Sequence, residues 1–137
     1  MRGAMQALPP YAGSKRRLLG AIFGAAPRAM DAPVFVDAFM GGGSVALVAK
    51  ARGHQVIAND VADRSVIIGR ALVENDVVEL SHDDLVFLAR PQDERAFARE
   101  HLGVDVFPIE FAIFMDNVLA NAERLHGAKR WLARLLV

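Results

Sequence analysis

Apolar positions follow two regimes along the chain: short continuous runs near the front, and helical spacing beyond them. Val34-Phe35-Val36 is a β-branched and aromatic run that predicts a buried strand, ending at Asp37. Phe39-Met40-Gly41-Gly42-Gly43-Ser44 follows as a glycine loop. Residues 45–52 predict a helix, stopped by Gly53 just past its end. Val56-Ile57-Ala58 predicts a second strand, ending at Asn59-Asp60. Helical spacing returns over 61–74 through Val66, Ile67, Arg70 and Leu72. Strand, glycine turn, helix, strand and helix in that order describe a βαβα unit with a parallel strand pair.

The flanks read as helical. Ser14 is a candidate cap for a short helix with Leu18, Leu19, Ile22 and Phe23 on one face. Ser81 is a candidate cap for a turn through His82-Asp83-Asp84. Pro91 suits a first helical position, with Asp93 and Glu94 in the first turn and Gly103 past the end. Phe107, Phe111, Phe114, Met115, Val118, Ala122 and Leu125 recur at helical spacing, predicting an amphipathic helix over 108–126 closed by Gly127. Trp131, Leu132, Leu135 and Leu136 begin another apolar face. The fold class is therefore α/β: a partial Rossmann-like βαβα core with additional C-terminal helices over about 80–137. Residues 1–137 read as a single, incomplete domain. Two strands leave the edges and faces of a parallel sheet uncovered, so self-association or pairing with a partner chain is expected.

Composition narrows this picture. A chain of 137 residues suits one domain, and 53% hydrophobic residues exclude wholesale disorder. There are no cysteines, which removes disulfides and thiolate metal sites. The formal net charge is zero, yet the ends are basic. Arg2, Lys15, Arg16, Arg17 and Arg28 stand near the front; Arg124, Lys129, Arg130 and Arg134 oppose only Glu123 near the end. That segregation has two readings, a nucleic-acid face or solvated helix faces. His54, His82, His101 and His126 lack metal-ligand spacing and are expected at the surface, so no metal is predicted. No apolar run approaches the about 20 residues of a membrane span. No apolar leader precedes the first helix, and a cytoplasmic location is expected.

The glycine loop carries the chemistry. Gly41 and Gly43 let the backbone turn sharply and approach a ligand where a Cβ would clash. The helix that follows presents unpaired N–H groups, with Ser44 as its candidate cap. Asp60, at the end of the second strand, can accept from both hydroxyls of a ribose. These features describe a nucleoside-cofactor site; the alternative is a structural turn with Asp60 as a cap. Gly41-x-Gly43-x-x-Ala46 also fits the dinucleotide pattern, leaving NAD open. Asp37, just before the loop, would repel a pyrophosphate and attract an ammonium group, which favours S-adenosylmethionine.

Asp37-Ala38-Phe39-Met40-Gly41-Gly42-Gly43-Ser44 resembles the D-x-F-x-G-x-G-S cofactor loop of Dam-like adenine-N6 DNA methyltransferases. Tyr11-Ala12-Gly13-Ser14-Lys15 resembles that family's Y/W-x-G-x-K motif, and Asn59-Asp60 its ribose-binding N-D segment. The three occur in the family's order, and the resemblance covers roughly residues 8–75. It implies an enzyme of DNA methylation and restriction–modification, using S-adenosylmethionine to methylate a flipped adenine in duplex DNA. It implies that Asp60 binds the ribose, while Asp37 and the backbone of Phe39, Gly41 and Gly43 hold the methionine end beside Ser44. Tyr11, Gly13, Ser14 and Lys15 would close over the cofactor, with Lys15 facing the base pocket, and Phe39 either stacking on the cofactor or joining the core.

One departure qualifies the resemblance. The family's catalytic D-P-P-Y motif has no counterpart downstream, and Leu8-Pro9-Pro10-Tyr11 begins with a residue that accepts no hydrogen bond. Asp116-Asn117 reads as a polar edge of the amphipathic helix rather than as a replacement. No catalytic residue is assigned, and the 137 residues alone are not expected to methylate DNA. The sequence thus supports the cofactor-binding portion of a methyltransferase. The alternatives are a catalytically inactive truncated or degenerate relative serving as a cofactor-binding or partner subunit, and an NAD-binding fragment.

Overall fold

The computed structural model describes residues 15–103 and 105–137. They form two compact units, one ending at Asp76 and the other spanning Val77–Val137. Among the described residues, no helix is long and apolar enough to cross a membrane.

The first unit begins with a 3-10 turn, Lys15–Leu18, which runs into α1, Leu19–Ala25. Strands β1, Val34–Asp37, and β2, Gln55–Ala58, pair in parallel, with Phe35 opposite Val56 and Asp37 opposite Ala58. Helix α2, Ser44–Ala51, makes the crossover that a parallel pair requires. Phe35 and Val56 turn to one face and pack on Phe23, Val45 and Ala49. The rings of Phe23 and Phe35 stack at 5.5 Å between centroids. Burying one such side chain stabilises the unit by about 1.5–3 kcal/mol.

The strand expected to be buried is covered on one face only. Val36 is 61% exposed and Ile57, its partner in register, is 53% exposed. Strand alternation sends Phe35 inward and Val34 and Val36 outward, which a three-residue apolar run does not reveal.

Helix α2 ends as its glycine predicts. Gly53 adopts φ +89°. The Gly53 amide donates to the Lys50 carbonyl at 2.9 Å and the His54 amide to the Ala49 carbonyl at 3.2 Å, the two bonds of a Schellman motif. His54 is not the surface residue expected from the sequence. It is buried, its Nδ1 lies 3.0 Å from the Ala32 carbonyl, and its ring meets Phe35 edge-on.

The helix expected over 61–74 starts at Asp63. As α3 it runs through Asp63–Ile68 and then widens into a π-helical turn, Gly69–Val73. Lys50 closes that turn: its ammonium donates to the carbonyls of Val73 and Asn75 and pairs with Asp76 Oδ1, each at 2.7 Å. All three ammonium protons have acceptors in this arrangement.

The second unit contains α4, His82–Leu88; α5, Phe97–His101; α6, Ile109–Ala122; and α7, Gly127–Arg134. Leu88, Val118, Ala122 and Ala133 form its core. Ser81 caps α4 as expected, in a reciprocal box with Asp84. Lys129 of α7 also reaches Asp84, at 2.6 Å. The Lys129 ammonium, followed by the Ser81 amide and hydroxyl, lowers the Asp84 carboxyl to about 2.

Helix α6 departs from its apolar pattern. It ends at Ala122, and Gly127, expected to close it, instead opens α7 at φ +57°. Phe111 and Phe114 are exposed, while Asp116, Asn117 and Asn121 are buried. The expected polar edge is therefore an interior polar row, and the ends of neighbouring elements explain it. Asp116 accepts from the amides of Ala98 at 2.9 Å and Arg99 at 3.0 Å, capping α5 from another helix. Asn121 donates to the carbonyls of Leu88 and Arg90, and Asn117 accepts from the Gln92 amide. The helix expected from Pro91 forms only from Phe97, because Gln92 brackets Arg95 in a turn, accepting from its amide and donating to its carbonyl.

Three of the four cations named at the basic chain end pair with acids. Arg124 pairs with Glu94, Lys129 with Asp84 and Arg130 with Glu123. The two exposed pairs, Arg124 with Glu94 and Arg130 with Glu123, stabilise by about 0–1 kcal/mol each and describe a solvated face more than a stabilising one.

Candidate functional site

The parallel register sets the site. Asp37 ends β1 and sits opposite Ala58, so β1 and β2 finish level and their following loops leave the sheet together. The first loop turns through Gly41 at φ +53° and Gly43 at φ +73°, conformations that favour glycine. The second loop is Asn59-Asp60. Asn59 ties the two backbones: its amide donates to the Asp37 carbonyl at 2.9 Å and its carbonyl accepts from the Met40 amide at 3.0 Å. Its side-chain amide adds a bond to the Ala38 carbonyl at 3.1 Å.

Asp60 joins the same lacing. Its Oδ2 accepts from the Gly41 amide at 2.7 Å and its Oδ1 from the Ala62 amide at 3.0 Å. Those bonds, that from Ala62 first and that from Gly41 second, hold the carboxyl below its ordinary range. Each oxygen keeps a further lone pair for a ligand hydroxyl.

Asp37 is buried. Its Oδ1 lies 3.4 Å from Lys15 Nζ. Its Oδ2 is buried and has no hydrogen-bond partner among the described residues. Lys15 also donates to the Phe39 carbonyl, bringing the chain front to the glycine loop. The Phe39 ring is 80% exposed, which removes the core reading and leaves it free beside the loop. Ser44 is buried at the start of α2, but it does not cap the helix: Gly43 occupies the N-cap and no side-chain bond caps the end. Asp37, Phe39, Gly41, Gly43, Ser44, Asp60 and Lys15 are thus gathered at one end of the sheet. Tyr11, Gly13 and Ser14 lie outside the described residues.

The sequence did not single out Met40 as a support. It is buried below the loop, with both backbone polar atoms engaged, and its side chain reaches toward Gly69. A cleft of about 240 Å³ opens there, lined by Met40, Val56, Asp60, Val66, Gly69 and Val73. A methionine directly before the glycines is the signal that the sequence offers. Chemically, the loop sets backbone amides between two carboxylates, an arrangement suited to a ligand with a cationic end near Asp37 and hydroxyls near Asp60.

Residues 11–105 match the family described as D12 class N6 adenine-specific DNA methyltransferase. Over 117 residues the chain is 29% identical to Type II methyltransferase M2.HphI of Haemophilus parahaemolyticus, an alignment covering 85% of this chain and 34% of that protein. The chain thus spans about a third of that relative's length. No solved structure matches the chain. With the motif residues gathered at one sheet end and the family match running through them, the chain belongs to the D12 class N6 adenine-specific DNA methyltransferases.

Proposed function

We propose that this chain is the cofactor-binding part of an adenine-N6 DNA methyltransferase and that its βαβα unit is half of a Rossmann-like site for S-adenosylmethionine. The observation that carries the reading is Asp37 Oδ2, a buried carboxylate oxygen without a partner among the described residues. Lys15 reaches only the other oxygen, and a buried carboxylate oxygen left without a hydrogen bond is costly, so a ligand ammonium at Oδ2 would compensate it. Asp37 takes the amino group of the methionine end. The backbone at Phe39, Gly41 and Gly43, with Ser44 behind it, accommodates the close approach of that end. Asp60, held ionised by its two backbone bonds, accepts from the ribose hydroxyls. Lys15, bonded to the Phe39 carbonyl beside Asp37, closes over the cofactor from the chain front and faces the base pocket.

When bound, S-adenosylmethionine supplies an electrophilic methyl group. The acceptor is the exocyclic amino group of an adenine flipped from duplex DNA. The role of this chain is to bind and orient the donor, and no residue of it is assigned to the adenine proton.

Calorimetry with S-adenosylmethionine, S-adenosylhomocysteine and NAD in parallel tests the reading. Both adenosyl ligands bind, and Asp37→Asn weakens them by roughly tenfold, as loss of a charged hydrogen-bond partner does. Tighter binding of NAD, or unchanged affinity in Asp37→Asn, overturns it.

A further inference from the structure

The geometry points to Gly69, which lies outside every motif of the site, as a positioning residue that sets the height of the glycine loop through Met40. The inference rests on the proposed cofactor role of that loop. A Cβ built at Gly69 would stand 3.3 Å from Met40 Cε and 3.7 Å from its Sδ. Met40 is 4% exposed and lines the cleft, so it is the end of its side chain that has to give by a few tenths of an ångström. Its backbone is fixed on both sides: the amide donates to the Asn59 carbonyl, and the carbonyl accepts from the Gly43 amide. The next residue, Gly41, donates to Asp60 Oδ2. A push on the Met40 side chain is therefore delivered to the bonds that hold the loop against Asp60.

Gly69 stands where α3 passes into its π-helical turn, and its φ of −57° and ψ of −51° are open to any residue. The backbone therefore does not demand glycine here, and Ala would ordinarily be favoured inside a helix. What the absent side chain provides is space for Met40. Interiors are packed closely enough that added volume moves neighbours rather than compressing them. The cleft beside Gly69 gives a larger side chain somewhere to go, but the first atom of that side chain still meets Met40.

A volume exchange across this contact tests the inference. Gly69→Leu should weaken S-adenosylhomocysteine binding roughly tenfold, in line with the cost of displacing a binding constellation by a fraction of an ångström. Adding Met40→Ala to Gly69→Leu should restore most of that loss. Amide hydrogen exchange on the ligand-free protein gives a readout independent of the cofactor. The Gly41 amide should exchange faster in Gly69→Leu and return toward the wild-type rate in the double variant. Gly69→Ala, which the helix backbone accepts, should show the same effects in milder form and serves if the Leu variant does not fold. Wild-type affinity and wild-type Gly41 exchange in the Gly69 variants overturn the inference, as does an exchange defect that Met40→Ala fails to relieve. If wild type does not bind S-adenosylhomocysteine, the cofactor reading fails, while the exchange measurements still decide whether Gly69 positions the loop.

Discussion

The Gly41 amide donates to Asp60 Oδ2 at 2.7 Å, joining the two loops that leave the parallel strands. The carboxylate proposed for the ribose is therefore also a clasp on the glycine loop. Asp60→Ala should lower affinity for S-adenosylhomocysteine by roughly ten- to a hundredfold, because both the ligand bond and the loop geometry are lost. Asp60→Asn keeps an acceptor and should fall between. Calorimetry gives the affinities, and faster Gly41 amide exchange in the unliganded Ala variant identifies the loss of the clasp.

Asp84 predicts an acid transition in the second unit. Its folded pKa, about 2, lies below the ordinary carboxyl value of 3.8, chiefly through the Lys129 ammonium. A depressed carboxyl pKa contributes stability that is complete above about 4 and is lost as pH falls toward 2. Trp131, the single tryptophan, lies on α7, the helix that carries Lys129, and reports on this region. Fluorescence-monitored melts from pH 5 to pH 2 should show a steeper decline for wild type than for Asp84→Asn, and parallel curves would disprove the assignment.

Asp116 is the cap of α5, although it sits on α6. Asp116→Ala leaves two amides without an acceptor and should destabilise the protein by about 1–3 kcal/mol. Asp116→Asn should cost less, because one oxygen remains. Urea unfolding followed by circular dichroism measures both variants.

Lys50 is expected to matter for stability rather than charge balance. Lys50→Met preserves the aliphatic stem but removes donors from two carbonyls and the partner of Asp76, and should cost about 1–3 kcal/mol. Because Asp76 is exposed, Asp76→Asn should be nearly silent in the same thermal melts.

The legible parts of this chain were those governed by neighbours in sequence. The βαβα order, the stop at Gly53 and the Ser81 cap depend on local sequence, and each appears in the structure. Asp37 and Asp60 were singled out because they stand at the strand ends beside a glycine loop, and the structure places both there, Asp37 ending β1 and Asp60 two residues past β2. What escaped depends on contacts across the chain. The α5 cap comes from Asp116, which a local reading of 91–103 cannot supply. The burial of Asn121 answers the free carbonyls at the end of α4, so periodicity alone misplaced the buried face of α6. His54 is interior because the Schellman turn carries it inward against Ala32 and Phe35. Met40 stands inside the motif, and its burial against Gly69 depends on a residue 29 positions away.

The level ends of β1 and β2 also determine which length changes the chain can absorb. Side chains alternate between sheet faces, so one residue inserted within β1 would rotate the strand's pattern by half a period. Asp37 would then trade places with a neighbour such as Val36, carrying the acid to the bare side of the sheet and an aliphatic residue to the loop. Inserting one residue in the turn at 27–33, ahead of the strand, leaves that phase intact. Natural length variation among relatives should therefore gather in that turn and avoid the four paired positions, and an insertion scan of the gene should show the same divide.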